Sequence, residues 1–431
     1  MKVLLKGGRL FDPSIHLDKK SDLLINGDRI SRIGEELSEA EADRVVDCRA
    51  LLVTAGLIDL HVHLREPGFE DKETIYTGTR AAVKGGITAV LPMPNTDPVI
   101  DSIAFVKHII ATSERDALVR VYPVGAISVG LEGKQLTQMG DMVSGGAVAF
   151  SDDGKPVMDA GLMQRAFQYS TMFGVPLILH EEDLNLSSGG QINSSLQATE
   201  MGLSGMPREA EEVMVARDVI LCGLTRAKVH FTHLSSPYSV SHIIEGREKF
   251  PGLMTCDATP HHLTLTQEET LGYNTLAKMA PPLRNASHVK KLVEHLKNGD
   301  IDCIATDHAP HTCYEKSLEF EKAPFGAIGL ETAFPVCYTY LVKNGDVPLE
   351  RVVEAMTSKA AAVIAVPGGT LKSGSIADIS CFDLETEAVY EPSMVVSKSA
   401  NSPYFGKKLT GYPQHVFCGG RQVLAYGEAQ G

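Results

Sequence analysis

Two histidines stand two positions apart in "DLHVHLREPG", residues 59–68, directly after the apolar run "LLVTAGLI". The apolar run predicts a buried strand, and residues i and i+2 of a strand point to the same face. His61 and His63 would therefore present two imidazoles side by side, a geometry that can hold a metal ion. One such pair does not establish a metal site, so other parts of the chain have to supply further ligands.

Polar residues close several other apolar runs of the chain in the same way. They are Asn95 in "PMPNT", Asp153 in "FSDDG", His180 in "LILHEE", His233 in "HFTHLSS" and Asp307 in "ATDHAPH". A lone histidine at a strand end is usually structural, but buried polar groups need partners, and these groups would be one another's neighbours. Four histidines and two aspartates exceed what one tetrahedral ion needs, and carboxylate can bridge two ions.

A site that holds two metal ions favours a hydrolytic reaction at this cluster of side chains. A pair of ions can hold a hydroxide that is nucleophilic at neutral pH. A nearby carboxylate can then accept the proton and return it to a leaving group. Asp307 is the candidate for this acid/base role.

The middle of the chain, residues 53–365, alternates apolar β-rich runs with helix-like segments such as "EAEEVMVARDVILCGLTRA". This alternation predicts parallel βα units, and runs that are apolar throughout are typical of strands covered on both faces. We expect a (β/α)8 barrel, because functional groups lie at the C-terminal strand ends of that fold. A doubly wound open sheet is the competing fold, but it would not readily bring five strand ends around one point.

Both ends of the chain have a different pattern, in which short strands alternate with Gly- and Asp-rich turns. We expect residues 1–52 and 366–431 to form one small β domain beside the barrel of residues 53–365. The chain has 431 residues, which suits a large barrel with an accessory domain.

Composition excludes several classes of partner and location. The formal net charge of −14 argues against a nucleic-acid partner, which would need a basic surface. No apolar run reaches the length of a membrane span, so no membrane partner is expected. The eight cysteines form no C-x-x-C pair, which predicts free thiols in a reducing cytoplasm.

The motif H-x-H-L-R-E-P-G, together with "PMPNT", "SDDG" and "ATDHAPH" followed by "PFGAIGLET", resembles the dihydroorotases of the amidohydrolase superfamily. The resemblance extends along nearly the whole chain. It implies a TIM barrel with a small β-sandwich domain and a centre of two zinc ions per subunit. It also implies a small-molecule substrate and a reaction, the reversible cyclisation of N-carbamoyl-L-aspartate to (S)-dihydroorotate in pyrimidine (UMP) synthesis.

The resemblance also implies a role for each residue of the site. The metal ligands would be His61 and His63 on the first zinc, Asp153 as the bridge, His180 and His233 on the second zinc, and Asp307 beside the first zinc as catalytic acid/base. The substrate contacts would be Arg65 and Asn95 to the carboxylate, with His311, Phe325 and Gly326 closing over the ring.

The chain departs from the family pattern at two places. Ala280 in "KMAPPLR" stands where many relatives have asparagine, so an amide contact to the substrate is missing or comes from another group. The strand that ends "AVAFSDDG" also lacks the lysine that hydantoinases and some dihydroorotases carbamylate to bridge their metals. Asp152 is an alternative bridge to Asp153, and Lys155 is expected to be a loop residue.

Two other functions compete with the dihydroorotase reading. The first is another cyclic amidohydrolase, an allantoinase or a hydantoinase, although the missing lysine counts against both. The second is a barrel without catalysis, which the retained ligands disfavour, or a weakly active subunit that depends on aspartate transcarbamoylase. A homodimer is the family expectation.

The loop "HAPHTCYEKSLEFEKAPFG", residues 308–326, follows the last barrel strand. Its charged centre would be solvated in an open state, whereas its two ends carry the expected substrate contacts. We therefore predict a lid that is mobile when empty and orders on substrate binding. Of the remaining histidines, His308 is expected beside the ligands, and either His261 or His262 is expected to line the cavity.

Overall fold

The apolar runs of the middle of the chain form the strands of a parallel barrel in the computed structural model, which describes residues 1–430. The strands of residues 1–430 as a whole are β1 Lys2–Asp12, β2 Leu17–Asn26, β3 Arg29–Gly34, β4 Arg44–Asp47, β5 Leu51–Ala55, β6 Leu57–Val62, β7 Ile87–Pro92, β8 Arg120–Val121, β9 Val124–Gly125, β10 Ala149–Phe150, β11 Leu177–Leu179, β12 Ile192–Asn193, β13 Gly205–Met206, β14 Val229–Phe231, β15 Met254–Ala258, β16 Cys303–Ile304, β17 Ile379–Val389, β18 Lys408–Cys418, β19 Arg421–Ala425 and β20 Glu428–Ala429. The helices are α1 Ile75–Lys84, α2 Ile103–Asp116, α3 Met139–Gly145, α4 Ala160–Thr171, α5 Leu196–Glu200, α6 Glu209–Thr225, α7 Pro237–Lys249, α8 Pro260–Thr264, α9 Ala286–Asn298, α10 Cys313–Lys316, α11 Ala333–Cys337, α12 Leu349–Met356 and α13 Ser358–Val363.

Eight strand positions form the barrel, and every pairing between them is parallel. Their order around the ring is β6, β7, β8 with β9, β10, β11, β14, β15 and β16, and β8 and β9 are two halves of one strand. A parallel bridge between Val62 and His308 closes the ring. The expected (β/α)8 barrel is confirmed, and the polar ends of its strands therefore converge at one rim.

The barrel strands are buried on both faces, as the apolar runs predict. All six residues of β6 and all six of β7 are buried. One layer of side chains fills the inside of the barrel, and a second layer packs between the strands and the surrounding helices; Ile58 and Leu91 belong to the first, and Val62 and Val90 to the second. Two separate layers of apolar side chains therefore hold the strand ends in place from both sides of the barrel wall.

Local sequence signals explain where the helices begin and end. Thr74 and Thr77 form a capping box at the start of α1. Ser236 accepts a hydrogen bond at the start of α7, and Pro237 occupies its first turn. Gly299 ends α9 with φ +85°, a conformation that glycine adopts without strain.

Strands from the two ends of the chain form one sheet in the order β20-β19-β18-β17-β5-β1-β2-β3, with β4 beside β1. The central contact is the antiparallel pairing of β17 with β5. The sheet is irregular at bulges, and side chains from both ends, including Leu5 and Phe417, fill a core of its own. The β-sandwich expected beside the barrel is therefore present.

None of the helices in residues 1–430 combines the length and apolarity needed to cross a lipid bilayer.

Candidate metal centre

The predicted site residues come together at the C-terminal rim of the barrel. A cavity of about 550 Å³ opens there, and ten of the eleven predicted residues line it. His61, the eleventh, is fully buried beneath the cavity floor. Ala280, which replaces the family asparagine, also lines the cavity.

The first group of possible ligands is His61, His63 and Asp307, whose ligand atoms lie within 4.8 Å of one another. The Oδ1 atom of Asp307 is 3.1 Å from Nε2 of His63 and 3.6 Å from Nε2 of His61. The two imidazoles come from the end of β6, and Asp307 follows β16, the neighbouring strand that closes the ring. The spacing of two residues thus places both rings on the same site, as the sequence predicts.

Asp153 lies between this group and the two remaining histidines. Its Oδ1 atom is 3.3 Å from Nε2 of His61 and 3.6 Å from both Nδ1 of His180 and Nε2 of His233. Its Oδ2 atom is 3.5 Å from Nε2 of His63. One carboxylate therefore faces all four imidazoles, which is the position that a bridging ligand needs.

Hydrogen bonds on the far side of two rings direct a lone pair of each into the centre. Nδ1 of His61 is 2.9 Å from Oγ1 of Thr232, which itself donates to Asp257 at 3.0 Å and so accepts from the ring. Nδ1 of His63 is 3.0 Å from Oδ1 of Asn95. When each ring is neutral, its proton lies on Nδ1 and its Nε2 atom presents a lone pair to the centre. Such partners fix the tautomer of metal-ligating histidines.

In the second pair of histidines, His180 has such an outer partner, whereas Nδ1 of His233 has no hydrogen-bond partner within residues 1–430. Nε2 of His180 is 3.0 Å from Glu182, a carboxylate that can only accept when ionised, so Nδ1 of the ring presents its lone pair. That Nδ1 lies 3.0 Å from Nε2 of His233. Sequence analysis did not select Glu182, although it follows His180 by only two residues.

The centre brings acceptor atoms together without enough protons between them. Nε2 of His61 and Oδ1 of Asp153 are buried and have no hydrogen-bond partner within residues 1–430. Such groups are costly to bury unless a cation or a proton lies between them. The residues therefore fit divalent metal ions, and nitrogen with carboxylate oxygen is a donor set typical of zinc.

The charges of the carboxylates support the same conclusion. Burial disfavours the protonated imidazole of His61, but Asp153 and Asp307 outweigh burial and raise its pKa to about 9. Burial likewise disfavours the ionised form of Asp307, yet its hydrogen bond with His63 and the charge of His61 hold its pKa below the usual range. The centre attracts positive charge, and Asp307 is ionised and able to accept a proton.

Two further buried aspartates hold the ligands from below, and sequence analysis missed both. Asp257 accepts hydrogen bonds from the backbone of His233 at 2.6 Å and from Thr232. Asp59 accepts from the backbone of His61 at 3.2 Å and from the backbone of Thr306 at 3.0 Å. Asp257 lies in β15, a barrel strand that the sequence pattern did not reveal.

Three residues of the site have backbone conformations that are uncommon outside glycine. The φ angles are +62° at Arg65, +41° at His233 and +49° at Asp307. Such strain persists only where the surrounding structure imposes it, and it clusters at functional sites.

The substrate-binding residues expected from the resemblance lie on one side of the cavity. A nitrogen of the Arg65 guanidinium is 3.3 Å from Nε2 of His311, which is also 2.8 Å from the carbonyl oxygen of Phe325. Gly326 has φ +124°, and a Cβ atom there would lie 2.6 Å from Cβ of Ala309. A glycine is therefore required where the loop returns to the cavity.

Arg65 is not held in an ion pair with the neighbouring glutamates, the alternative role for it. Its Nε donates to the carbonyl oxygen of Pro310 at 3.2 Å. Glu66 accepts from the backbone of Ile75, and Glu70 accepts from the backbone of Gly68. Charge on the Arg65 guanidinium is thus directed to the cavity.

The alternative bridging residues are engaged elsewhere. Asp152 accepts hydrogen bonds from the backbone of Ile127 at 2.8 Å and of Ser128 at 3.0 Å, which secures a loop away from the histidines. Lys155 is exposed on the loop, as expected.

The other histidines near the site have structural partners or lie outside the cavity. His308 is 3.3 Å from Glu73 and accepts from the backbone of Gly329. His261 and His262 are both buried but neither is part of the cavity lining, so the prediction that one of them lines it is wrong. Their side chains pack against each other, with ring centroids 4.5 Å apart.

The prediction that the charged centre of the loop 308–326 is solvated is wrong in one respect. Lys316 and Phe320 are each only 5% exposed, because their side chains turn inward beneath the loop. Alternating charges along the sequence did not reveal this inward face. The lid movement itself stays a prediction.

The chain is similar to curated dihydroorotases over almost its whole length. It is 49% identical over 426 residues to the dihydroorotase of Pelotomaculum thermopropionicum, covering 98% of this chain and 99% of the relative. It is 44% identical to the dihydroorotase of Acetivibrio thermocellus, again covering 98% and 99%. The family model described as dihydro-orotase-like matches residues 50–239.

Solved structures share the whole fold. The L-hydantoinase (dihydropyrimidinase) from Arthrobacter aurescens superposes with a TM-score of 0.90 at 26% identity, covering 100% of this chain and 97% of that one. The dihydropyrimidinase from Brevibacillus agri superposes with a TM-score of 0.86 at 22% identity, covering 100% and 96%, and shows a shared fold alone.

Proposed function

This chain belongs to the dihydroorotase family, and from that premise we propose that it catalyses the reversible ring closure of N-carbamoyl-L-aspartate to (S)-dihydroorotate. The enzyme is a cyclic amide hydrolase that acts on a small molecule in pyrimidine synthesis. The observation that carries the proposal is the single cavity in which a ligand-rich centre faces an arginine and a histidine of the rim. That combination suits an acidic ring substrate.

The metal ions of this enzyme are proposed to be two zinc ions per subunit. His61 and His63, with Asp307 beside them, would hold the first ion, and His180 and His233 would hold the second. Asp153 would bridge the two, which is supported by its distances of 3.3–3.6 Å to all four imidazoles. When bound, such ions polarise a carbonyl group and make water nucleophilic at neutral pH.

Asp307 is proposed to move the proton of the reaction. In the hydrolytic direction, water adds its hydroxyl group to the ring amide carbonyl, the carbon–nitrogen bond breaks, and the nitrogen gains a proton. The Oδ1 atom of Asp307 faces the imidazoles of His61 and His63. We assign the proton to Oδ2, which would take it from water and give it to the leaving nitrogen. The lowered pKa of this carboxyl keeps it ionised, so that an oxygen is free to take the proton.

Arg65 and Asn95 are proposed to bind the substrate carboxylate. A guanidinium presents a planar fork of donors that matches carboxylate geometry. Asn95 holds His63 and also donates to Asp153 at 3.2 Å, so it would place the carboxylate at a fixed distance from the ligands. This double contact ties substrate position to the metal centre.

His311, Phe325 and Gly326 are proposed to contact the ring on the side opposite the ligands. Burial, together with the charge of Arg65, lowers the pKa of His311 to about 3, so the ring is neutral and can donate only one hydrogen bond. Ala280 leaves its part of the wall without an amide, so recognition of the ring depends more on this loop.

The experiment that tests the function uses one purified sample for two measurements. Elemental analysis gives the metal content, and turnover is compared on dihydroorotate, hydantoin and allantoin. We expect about two zinc ions per subunit, as a two-ion site requires, and a clear preference for dihydroorotate. Turnover of hydantoin or allantoin in preference to dihydroorotate would refute the substrate assignment.

The remaining assignments concern assembly and location. We propose a homodimer, a possible complex with aspartate transcarbamoylase, and a cytoplasmic location. We also propose that residues 1–52 and 366–431 form the small domain and residues 53–365 the catalytic one. All eight cysteines, which lie within residues 1–430, are unpaired, and this supports a reducing compartment. Light scattering, and turnover with and without added aspartate transcarbamoylase, test the two assemblies.

A further inference from the structure

Two lysines are buried beneath the loop that closes one side of the cavity. Lys278 is 1% exposed and Lys316 is 5% exposed, although lysine is almost never fully buried unless it is paired. Neither residue belongs to the metal centre or to the proposed substrate contacts. Their burial therefore needs a reason of its own.

Carbonyl oxygens of the loop surround the ammonium group of Lys278. Its Nζ donates to the carbonyl oxygens of Phe320 at 2.6 Å, Ala323 at 2.7 Å and Glu321 at 3.3 Å. It also lies 4.5 Å from the centre of the Phe325 ring, which is a cation–π distance. The Lys278 side chain thus donates hydrogen bonds to carbonyl groups of the irregular segment 320–323, which form no hydrogen bonds of a helix or sheet.

Lys316 joins the other face of the loop to the barrel. Its Nζ donates to the carbonyl oxygens of Thr275 and Pro324, each at 2.9 Å, and of Lys278 at 3.3 Å. An ammonium group has three N–H donors, and each lysine meets three carbonyl oxygens. A methionine of similar length would fill the space but would leave these buried acceptors unpaired.

The contacts of the two lysines continue directly into the site. The backbone of Gly326 donates to the carbonyl oxygen of Lys278 at 2.9 Å. The carbonyl oxygen of Phe325, the residue before Gly326, lies 2.8 Å from Nε2 of His311. Movement of the segment 320–325 would therefore move the three groups expected to touch the ring.

A third residue holds the two ends of the same loop together, at residues 309–311 and at residue 326, which we call the neck of the loop. The Asn401 side chain accepts from the backbone of His311 at 3.1 Å and donates to the carbonyl oxygens of Ala309 at 2.9 Å and Gly326 at 3.1 Å. The neck is thus secured separately, and the lysines are left to secure the body of the loop.

We propose that Lys278 and Lys316 are positioning residues, which clamp the body of the loop and thereby place His311, Phe325 and Gly326 against the substrate. This inference rests on the proposed function for its kinetic consequences but not for the clamp itself. Six carbonyl groups, four of them in the loop, meet the side-chain nitrogen atoms of the two lysines. Loss of either lysine frees the segment without touching a metal ligand.

The test compares Lys278→Met and Lys316→Met with Lys322→Met, a matched control in the same loop. Lys322 is 68% exposed and pairs only with Glu319. We expect hydrogen–deuterium exchange of residues 313–326 to rise in the first two variants and not in the control. We expect kcat/KM for dihydroorotate to fall about 10- to 100-fold, as misplacement of substrate-positioning groups does, while metal content stays unchanged.

Chemical rescue separates the clamp from a general packing role. Lys316 borders a second cavity of about 440 Å³ on the outer side of the loop, which gives small amines a route to it. Propylammonium should restore kcat/KM in Lys316→Ala, whereas tetramethylammonium, which has no N–H donor, should not. Lys322→Ala should respond to neither. If a methionine variant does not fold, the corresponding leucine variant, which also lacks an N–H donor, takes its place.

Two results would overturn the clamp. One is faster exchange in the loop with kcat/KM unchanged, which would make the lysines structural only. The other is unchanged exchange in both lysine variants, which would show that the loop does not depend on them. A parent enzyme that fails to turn over dihydroorotate would refute the proposed function instead, and the exchange comparison would still decide the clamp.

Discussion

Thr232 offers a sharp test of how the metal centre is built. Its side chain is 1% exposed and stands between His61 and Asp257. Replacement by valine keeps the shape and removes the hydroxyl group. The ring of His61 then loses the acceptor that keeps its proton on Nδ1, so Nε2 no longer presents a lone pair to the metal in a fixed orientation.

The size of the effect follows from these contacts. Loss of a partner of this kind typically lowers metal affinity about 10- to 100-fold. Stability should fall by about 1–3 kcal/mol, because Nδ1 of His61 becomes a buried donor without an acceptor. Asp257 still accepts from His230 at 2.8 Å and from the backbone of His233, so it remains satisfied.

The assay is competition for zinc between the protein and a chromogenic chelator, with Thr255→Val as the control. Thr255 contacts Nδ1 of His230 at 2.8 Å, one step further from the centre in the same hydrogen-bond network. Thr255→Val should lower stability and leave zinc affinity within about twofold of the parent, since no proposed ligand loses its partner. Equal zinc affinity in Thr232→Val and the parent would refute the orienting role of Thr232.

Four other changes have defined outcomes. Asp307→Asn should keep the metal and lower kcat for dihydroorotate about 10²- to 10⁴-fold, because the amide cannot accept the proton; parental turnover would contradict this. Asp153→Ala should lower the metal content measured by elemental analysis, whereas Asp152→Ala should lower only the thermal stability; a modified lysine between two metals in a crystal structure would exclude the bridge. Gly326→Ala should lower kcat/KM about 10- to 100-fold at unchanged metal content, since its Cβ would clash at φ +124°; normal kinetics would show that the loop tolerates the strain. Burial lowers the pKa of Lys316 to about 7 from 10.5, so between these values the unfolded state binds more protons and stability rises with pH; an opened loop that returns Lys316 to solvent follows the same linkage. Loop exchange, corrected for the intrinsic rate, should therefore fall from pH 7 to about pH 9 in the parent and fall less in Lys316→Met, where Lys278, whose pKa burial lowers to about 8, still titrates; a rise in the parent would contradict this.

The barrel strands could be predicted wherever an apolar run ended in a polar residue. Strand β15, Met254–Ala258, was missed because Thr255 and Asp257 interrupt its apolar pattern. Asp257 is polar inside the barrel because it pairs with Thr232 and His230 on the neighbouring strand. That pairing depends on lateral contact between strands and leaves no periodic trace in the sequence.

The site residues were predictable to the extent that one rule places them. Groups at the C-terminal ends of parallel strands meet at one rim, so His61, His180 and His233 could be brought together without knowing any distance. Their protonation and orientation were not predictable, because the partners that set them are common residue types far away in the chain. Thr232 lies 171 residues from His61, and nothing in its local sequence distinguishes it.

The sequence by itself determined the class of fold, the family and the set of candidate ligands, because apolar periodicity, strand-end polarity and the motif H-x-H-L-R-E-P-G are local properties of the chain. Only the tertiary structure decided which ring nitrogen faces the centre, that Asp152 secures a loop while Asp153 faces four imidazoles, and that Lys278 and Lys316 turn inward beneath a charged loop. These features are hydrogen bonds between groups that folding brings together. Their energies depend on burial and distance, and neither quantity exists until the barrel has closed.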